Sequence, residues 1–214
     1  MLKRCEKCGL NSPSAAGVCV RCGSEFPLAT KPHRHLRRVV IRSAICAVVC
    51  VAAVLSFYAS LLASSNSLSI EERHIVRRAI NVLRDKGFTR EVSMLERFTS
   101  FRSDDHWLNA SVPKENAFAA TNFPFQIMTL YPDFFAYPKD DIERAAILLH
   151  EARHLMGKNE AEAYEYVWLN REQLGWTRRE YFASPVWMNV RSQTREYAPH
   201  LFNCYGKEYY DCTE

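Results

Sequence analysis

The longest apolar run in the chain lies between Ser43 and Ala63, where 21 consecutive residues carry no charge. A run of this length can cross the hydrocarbon core of a bilayer as one helix. We therefore predict a single membrane-spanning helix over residues 43–63, with a buried helix of a soluble domain as the alternative. A cleaved signal peptide fits poorly, because more than forty residues precede the run and a signal peptide begins with a short basic segment.

A second hydrophobic pattern has the period of an amphipathic helix and begins after Asp140. This aspartate is placed to cap the helix, and Gly157 lies where a glycine commonly ends one. The pattern predicts about four helical turns that are buried on one side. Its apolar stripe consists of Ile142, Ala145, Leu148, Leu149, Ala152 and Leu155.

A third pattern predicts another helix from Glu160 to about Leu174, with Asn159 as its N-cap. Glu160 falls on the apolar side of this helix, whereas Glu162 and Glu165 fall on its polar side. A carboxylate on the apolar side requires a partner, because burial of an unpaired charge is costly. The apolar side consists of Ala163, Tyr164, Val167, Trp168 and Leu174.

Shorter patterns complete the segment that follows the apolar run. Ser69 and Glu72 form a capping box ahead of an amphipathic helix over residues 70–86. Residues 125–131 are β-branched and aromatic and are bounded by prolines, which predicts a strand. Residues 88–101 fit a helix or a strand equally well.

Four of the eight cysteines form two C-x-x-C pairs near the N-terminus. The pairs are ten residues apart, and each is followed by a glycine that suits a tight turn around sulfur. Four thiolates complete the tetrahedral coordination of zinc, so this spacing predicts a structural zinc site in a zinc ribbon over residues 1–28. Two disulfides in a secreted peptide are the alternative. The four predicted ligands are Cys5, Cys8, Cys19 and Cys22.

The ribbon has too few residues for a hydrophobic core, so bound zinc is expected to supply its folding free energy. We expect the ribbon to dock to a cytosolic partner, which the sequence does not identify. The segment is basic, but this charge alone is weak evidence, and we do not expect nucleic acid as the partner.

The apolar run separates a basic N-terminal part of the chain from a slightly acidic C-terminal part. Residues 1–63 contain 9 Lys and Arg and 2 acidic residues, whereas residues 64–214 contain 19 and 22. Residues 29–42 form a basic linker before the run. The positive-inside rule therefore predicts a cytoplasmic N-terminus and places residues 64–214 outside the cytoplasm, in the periplasm or the extracellular space. Three arginines that follow the run weaken this bias, namely Arg73, Arg77 and Arg78.

The remaining cysteines fit the same topology. Cys46 and Cys50 lie inside the apolar run and are expected to pack as apolar residues. Cys204 and Cys212 lie near the C-terminus, and an oxidising compartment outside the cytoplasm allows them to form a disulfide. Two free thiols are the alternative.

The helix predicted after Asp140 carries the sequence H-E-x-x-H-x-x-G-x-x-E. Residues four apart share one face of a helix, so His150 and His154 can present their imidazoles to one metal ion. Glu151 lies beside them, where it can take a proton from a metal-bound water. The motif predicts a catalytic zinc site that leaves one coordination position open.

A third protein ligand must come from outside the motif helix. Gly157 allows the chain to turn, and Glu160 lies just beyond it on the apolar side of the next helix. Zinc is a suitable partner for this carboxylate, so we predict Glu160 as the third ligand. Glu162 and Glu165 stay open as alternatives, and a solvated Glu160 in the first helical turn is the competing interpretation.

His150, Glu151 and His154 match the motif of the zincin metallopeptidases, which the chain resembles over residues 150–160. The glycine spacing is similar to that of metzincins, whereas a glutamate ligand on a following helix is similar to that of gluzincins. The resemblance implies an α+β zincin-like domain over residues 64–214, with His150 and His154 as zinc ligands and Glu151 as general base.

The resemblance also implies a strand beside the motif helix that binds extended substrate, and it suggests Met188 as a methionine beneath the metal. The segment 195–200 mixes hydrogen-bond donors with aromatic side chains. Within it, Tyr197 and His200 are candidates for stabilising the oxyanion of a tetrahedral intermediate.

We therefore expect a single-pass membrane enzyme that hydrolyses peptide bonds in a peptide or protein substrate and holds one catalytic and one structural zinc. One alternative is an inactive zincin-like domain that serves as a membrane sensor or scaffold. Intact Glu151 argues against it, because a site that only binds metal needs no base there. The other alternative is a tethered interaction protein in which the H-E-x-x-H sequence is accidental.

Overall fold

The structure of this protein, a computed structural model, describes residues 2–13, 17–26, 34–109 and 117–202. The chain divides into two compact units, Met1–Val54 and Leu55–Glu214.

The N-terminal unit begins with a small antiparallel hairpin. Strands β1 (Leu2–Arg4) and β2 (Asn11–Pro13) pair so that Leu2 lies opposite Pro13. A separate bridge joins Val18 to Glu25. Within residues 4–11 and 17–26, whose burial the structure describes, only Cys5 and Cys19 are buried.

Helix α1 (Arg34–Ala63) contains the apolar run, and an 18-residue window within its stretch Leu36–Ala63 has a mean hydropathy of 2.5. This 28-residue stretch is long and apolar enough to cross a membrane. The helix begins earlier than the predicted start at residue 43, because residues 34–63 contain neither glycine nor proline to stop it. Residues 34–42 of the predicted linker are therefore helical.

The C-terminal unit combines helices with a small mixed sheet. Strand β5 (Ile127–Leu130) lies in the centre, parallel to β3 (Ser100–Arg102) and antiparallel to β4 (Ala119–Asn122). All four residues of β5 are buried. The helices of this unit are α2 (Ile70–Asp85), α3 (Thr89–Arg97), α4 (Pro132–Ala136), α5 (Asp141–Leu155), α6 (Glu160–Leu169), α7 (Arg171–Leu174), α8 (Arg178–Tyr181), α9 (Pro185–Tyr197) and the 3-10 turn Pro199–Phe202.

The core of this unit surrounds α5, which packs against α2, α6 and β4, while α9 packs against α6. Trp187 joins two other tryptophans, with its ring centre 5.2 Å from that of Trp168 and 4.9 Å from that of Trp176. Trp176 also donates a hydrogen bond to the buried carboxylate of Glu143, at 3.3 Å. Burial of each of the three tryptophan side chains stabilises the fold by roughly 1.5–3 kcal/mol.

The ends of the helices around the site follow the capping pattern of the sequence. Asp140 accepts hydrogen bonds from the first amides of α5, and Asn159 forms a capping box with Glu162 at the start of α6. Gly157 has a φ of +77°, which lets the chain reverse between these two helices. The predicted Ser69 and Glu72 capping box of α2 is also present.

Several predicted elements have different bounds in the structure. The helix expected from residue 160 to 174 is divided at Asn170, whose side-chain amide bonds to the Tyr166 carbonyl. The undecided segment 88–101 contains helix α3 followed by the start of β3. The strand expected at 125–131 is shorter, because Gln126 has a φ of +56° and the ladder begins only at Ile127.

Two candidate metal centres

The first centre, here called the cysteine site, consists of Cys5, Cys8, Cys19 and Cys22. All four sulfur atoms lie within 4.8 Å of one another, with Cys5 and Cys22 3.6 Å apart and Cys8 and Cys19 3.5 Å apart. Four sulfurs bound to one tetrahedral zinc would be about 3.8 Å apart, given bonds of about 2.3 Å. The group can therefore hold a metal ion.

Two equivalent turns shape this site. The amide of Gly9 donates to the Cys5 carbonyl, and the amide of Gly23 donates to the Cys19 carbonyl, at 2.8 and 2.9 Å. Both glycines have a φ near +70°, which other residues rarely adopt. Backbone amides aimed at sulfur lower the pKa of the Cys5 thiol and, through Arg21 and Cys22, bring the pKa of Cys19 to about 6. At Cys8 the backbone amide of Leu10 also lowers the pKa, but burial and the contacts with the other three cysteines outweigh it and raise the pKa to about 11. The turns thus favour the metal-binding thiolate form at Cys5 and Cys19.

The second centre, here called the histidine site, consists of His150 and His154 on α5 and Glu160 at the start of α6. The two Nε2 atoms are 3.0 Å apart. The Glu160 carboxylate spans them, with one oxygen 3.3 Å from Nε2 of His150 and the other 3.3 Å from Nε2 of His154. The turn at Gly157 brings the first residue of α6 back against the last turn of α5.

The donor set of the histidine site fits a transition metal. Nitrogen or oxygen ligands of tetrahedral zinc would be about 3.3 Å apart, given bonds of about 2.0–2.1 Å, close to the distances between these atoms. The Nδ1–H of His154 donates to the Lys158 carbonyl at 2.9 Å, so Nε2 is the nitrogen that faces Glu160 and would bind a metal after loss of its proton. The group can therefore hold a metal ion through two imidazoles and one carboxylate.

The position of Glu160 differs from the prediction in one respect. Its side chain is 49% exposed, so it lies at the rim of the site and not on a buried face. The partner that the prediction required is nevertheless present, because both imidazoles face the carboxylate. The alternatives bond elsewhere: Glu162 pairs with Lys158 at 2.7 Å, and Glu165 lies 3.1 Å from His200.

The three side chains of the histidine site strongly affect one another's charge. Hydrogen bonds from His150 and His154 hold the pKa of Glu160 far below its usual range. Burial opposes a charge on His154, but the hydrogen bond to Glu160 and the negative charge of Glu151 outweigh it and raise the pKa of His154 to about 9. The site is therefore electrostatically suited to a cation.

Glu151 lies beside this donor set and is 7% exposed. Thr121 on β4 donates a hydrogen bond from Oγ1 to Oε2 of Glu151. This contact joins the sheet to the motif helix and restricts the rotation of the carboxylate. The sequence did not indicate Thr121, because 29 residues separate it from Glu151 and only the packing of β4 on α5 brings them together.

A cavity of about 250 Å³ opens in front of the histidine site. Its walls include His150, Glu151, Glu160, Tyr164, Asn189 and Gln193. The Tyr164 ring centre is 4.2 Å from that of His150. Burial and the negative charges of Glu160 and Glu151 raise the pKa of Tyr164 above its usual range, so the phenol keeps its proton.

Tyr164, Asn189 and Gln193 were not predicted as site residues. Tyr164 was assigned to the apolar side of its helix, although its position one turn after Glu160 places it next to the same site. The two amides are four residues apart on α9 and therefore share one helical face. No local sequence pattern relates this helix to the motif.

Other candidate residues lie away from the cavity. Tyr197 stacks behind Tyr164, with ring centres 5.5 Å apart and planes at 8°, and it does not line the cavity. His200 is exposed and pairs with Glu165. Met188 is 54% exposed on α9 and lines a different depression with Arg178 and Phe182, so the expectation of a methionine beneath the metal is wrong. Cys204 and Cys212 lie outside the described residues, and their disulfide stays a prediction.

Comparisons of this chain with protein families, with curated proteins and with solved structures found no match.

Proposed function

We propose that this protein is a membrane-anchored zinc metallopeptidase with a zincin-like domain. The observation that supports this most is the arrangement of His150, His154 and Glu160 around one point, beside the nearly buried carboxylate of Glu151. A site that only stored or sensed metal would not need a carboxylate that is held by Thr121 yet excluded from the donor set. The open cavity in front of the site gives a substrate access to both groups.

The zinc ion would be held by His150, His154 and Glu160, and when bound it would lower the pKa of a water molecule and polarise the scissile carbonyl. Glu151 accepts the proton of the attacking water on its carboxylate and later transfers it to the leaving amine. Thr121 donates to Oε2, so Oε1, which accepts no hydrogen bond from the described side chains, is the more available oxygen for this proton.

Tyr164 is the best-placed residue to stabilise the oxyanion. Its ring contacts His150, and its phenol stays protonated and can donate a hydrogen bond toward the cavity. Tyr197, proposed for this role from the sequence, would instead support the Tyr164 ring by stacking on it. His200 would take no part, because it pairs with Glu165 on the outside of the unit.

An extended peptide would bind along β4. This strand pairs with β5 on one side, and in the described part of the chain no strand covers its other side. Ala119 and Thr121 of β4 lie next to the cavity and to Glu151. A substrate strand added to this edge would place its backbone carbonyls near the histidine site.

The anchor in this proposal is α1. The basic residues at its start favour a cytoplasmic N-terminus, which would keep the cysteine site in a reducing compartment and place the histidine site outside the cytoplasm. The cysteine site would then act as a structural zinc ribbon that binds a cytosolic protein.

Cleavage of a peptide library by the purified full chain tests this function, with products identified by mass spectrometry. The Glu151→Gln variant keeps the shape of the side chain but removes the base, and we expect a loss of activity of about 10²- to 10⁴-fold. The matched control is Glu162→Gln, which changes a neighbouring carboxylate outside the cavity. Equal cleavage by the wild type and Glu151→Gln would contradict the proposal, and a wild type that binds zinc without cleaving any peptide would favour the inactive sensor.

A further inference from the structure

We propose that a second site, on the side of the C-terminal unit next to the end of α1, binds an anionic phospholipid. The site, here called the basic groove, lies among α2, the end of α3 and strand β3 and has a volume of about 480 Å³. The proposal rests on the proposed membrane anchor and is independent of the chemistry at the histidine site.

The floor of the basic groove is apolar. Leu68, Val76, Ile80 and Leu95 line it and are each at most 5% exposed, and Phe101 completes the surface. A floor of this kind suits the first carbons of an acyl chain, because removal of apolar surface from water is favourable.

The rim of the groove is cationic. Arg73, Arg77 and Arg102 line it, and among the described residues none of the three forms an ion pair with a carboxylate. The one acid of the lining, Glu96, is already paired with Arg84 outside the groove. Three guanidinium groups above an apolar floor therefore present a site for a phosphate joined to a hydrocarbon chain.

Two of these arginines are held in place by the groove itself. Arg73 donates from Nε to the Leu68 carbonyl at 2.9 Å, and Arg102 donates to the Ser67 hydroxyl at 2.8 Å. The Nε of Arg102 is buried and has no partner among the described residues. Fixed guanidinium groups lose less side-chain entropy when they bind an anion than mobile ones do.

The last turns of α1 place the groove at a membrane surface. The uncharged run of α1 has 21 residues, from Ser43 to Ala63, and is therefore about 32 Å long, close to the roughly 30 Å of a hydrocarbon core. If this run spans the core, the last turns of α1 lie at the headgroup layer, where the Tyr58 hydroxyl lies 3.0 Å from the hydroxyl of Ser100 in the groove lining. At the same end, Trp107 packs edge-on against Phe57 with ring centres 5.6 Å apart, and aromatic residues of this kind favour membrane interfaces.

A phospholipid also accounts for the arginines that opposed the positive-inside bias. Arg73 and Arg77 face the groove, where an anionic headgroup would neutralise them on the outer side of the membrane. Arg78, the third of these residues, points elsewhere and pairs with Asp141 at 2.8 Å. A free phosphate would make no use of the apolar floor, and an acidic peptide would not require the position beside α1.

Native mass spectrometry of the detergent-solubilised full chain tests the proposal by counting retained lipids after addition of phosphatidylglycerol or phosphatidylcholine. We expect preferential retention of phosphatidylglycerol, reduced about tenfold or more in the Arg77→Gln/Arg102→Gln variant. The matched control is Arg78→Gln, which removes one charge from the same helix outside the groove and should retain lipid like the wild type. Unchanged thermal unfolding of the variants verifies that they fold.

Equal retention of the two lipids, or equal losses in the groove variant and the control, would overturn the proposal. Complete displacement of the lipid by inorganic phosphate would show that the groove is a free-phosphate site. Groove-dependent binding of an acidic peptide without lipid binding would show that it is a peptide site. Either result would also overturn the proposal. A failure of the proposed membrane anchor would be recognised separately, because the chain would then stay in the soluble fraction in the absence of detergent. Peptidase activity does not enter the measurement.

Discussion

Thr121 donates a hydrogen bond to Glu151 and so connects strand β4 to the helix that carries both histidines. The same strand is the one along which an extended substrate would bind. In the proposed function, substrate binding and the orientation of the base would therefore depend on a single strand. Because Thr121 does not touch the donor set, its role should be separable from metal binding.

Replacement of Thr121 by Val keeps the shape of the side chain and removes the hydrogen bond. We expect peptidase activity to fall by about tenfold to a hundredfold, since a small misplacement of a catalytic group has effects of this size. Zinc content should not change. Thr121→Ser should restore most of the activity, because it keeps the hydroxyl; failure of this rescue would mean that Thr121 acts only through packing.

Removal of Glu160 tests the third ligand. In Glu160→Ala, zinc affinity at the histidine site should fall by more than about 100-fold, because loss of an outer partner alone costs 10- to 100-fold. Competition with a chromophoric chelator measures this affinity. Glu162→Ala and Glu165→Ala serve as controls, because both carboxylates bond outside the site. A larger loss in either control than in Glu160→Ala would move the third ligand to that residue.

Zinc binding at the histidine site should depend on pH. The pKa of His154 is raised from 6.5 to about 9, so the imidazole carries a proton up to that pH. Zinc must displace this proton, and its affinity should therefore rise by about tenfold per pH unit between pH 7 and pH 9. Calorimetry in buffers of different ionisation enthalpy measures the proton released. Zinc binding without proton release at pH 7 would contradict this account of the site.

The pair formed by Arg153 and Glu91 predicts a stability effect within the same helix. Arg153 lies 3.3 Å from the Glu91 carboxylate, which is 3% exposed, and stacks over the Tyr166 ring. Arg153→Met removes the cationic partner of this buried carboxylate and leaves it the hydrogen bond from Tyr166, which should lower the free energy of unfolding by up to about 3–5 kcal/mol. Denaturant titration measures the loss.

An exposed ion pair provides the comparison. Arg78→Met breaks the pair with Asp141 on the surface of α2 and should cost no more than about 1 kcal/mol. Equal losses in the two variants would show that the Glu91 carboxylate is better solvated than its burial indicates.

The sequence predicts much of the histidine site because local rules determine it. The helical period places His150 and His154 on one face. The N-caps Asp140 and Asn159 determine where α5 and α6 begin, and the turn at Gly157 follows the end of α5. These short-range effects also bring Glu160 to the two imidazoles. Its exposure was not predicted, because that depends on how the neighbouring α9 leaves the cavity open.

The rest of the site depends on contacts between distant segments. Thr121, Asn189 and Gln193 reach the cavity only through the packing of β4 and α9 around α5 and α6. No periodicity in a single sequence encodes that packing. The break at Asn170 was missed because the apolar pattern continues through it. There the side-chain amide of Asn170 bonds to the Tyr166 carbonyl, which also accepts the backbone amide of Asn170.

We propose that the chain holds two metal ions, one at the cysteine site and a second at the histidine site. The most direct test is the zinc content of the purified full chain, measured by elemental analysis beside Cys5→Ser/Cys8→Ser and His150→Ala/His154→Ala. We expect about two zinc ions per chain in the wild type and about one in each double variant. One zinc in the wild type that is lost with the cysteines and unaffected by the histidines would contradict the account.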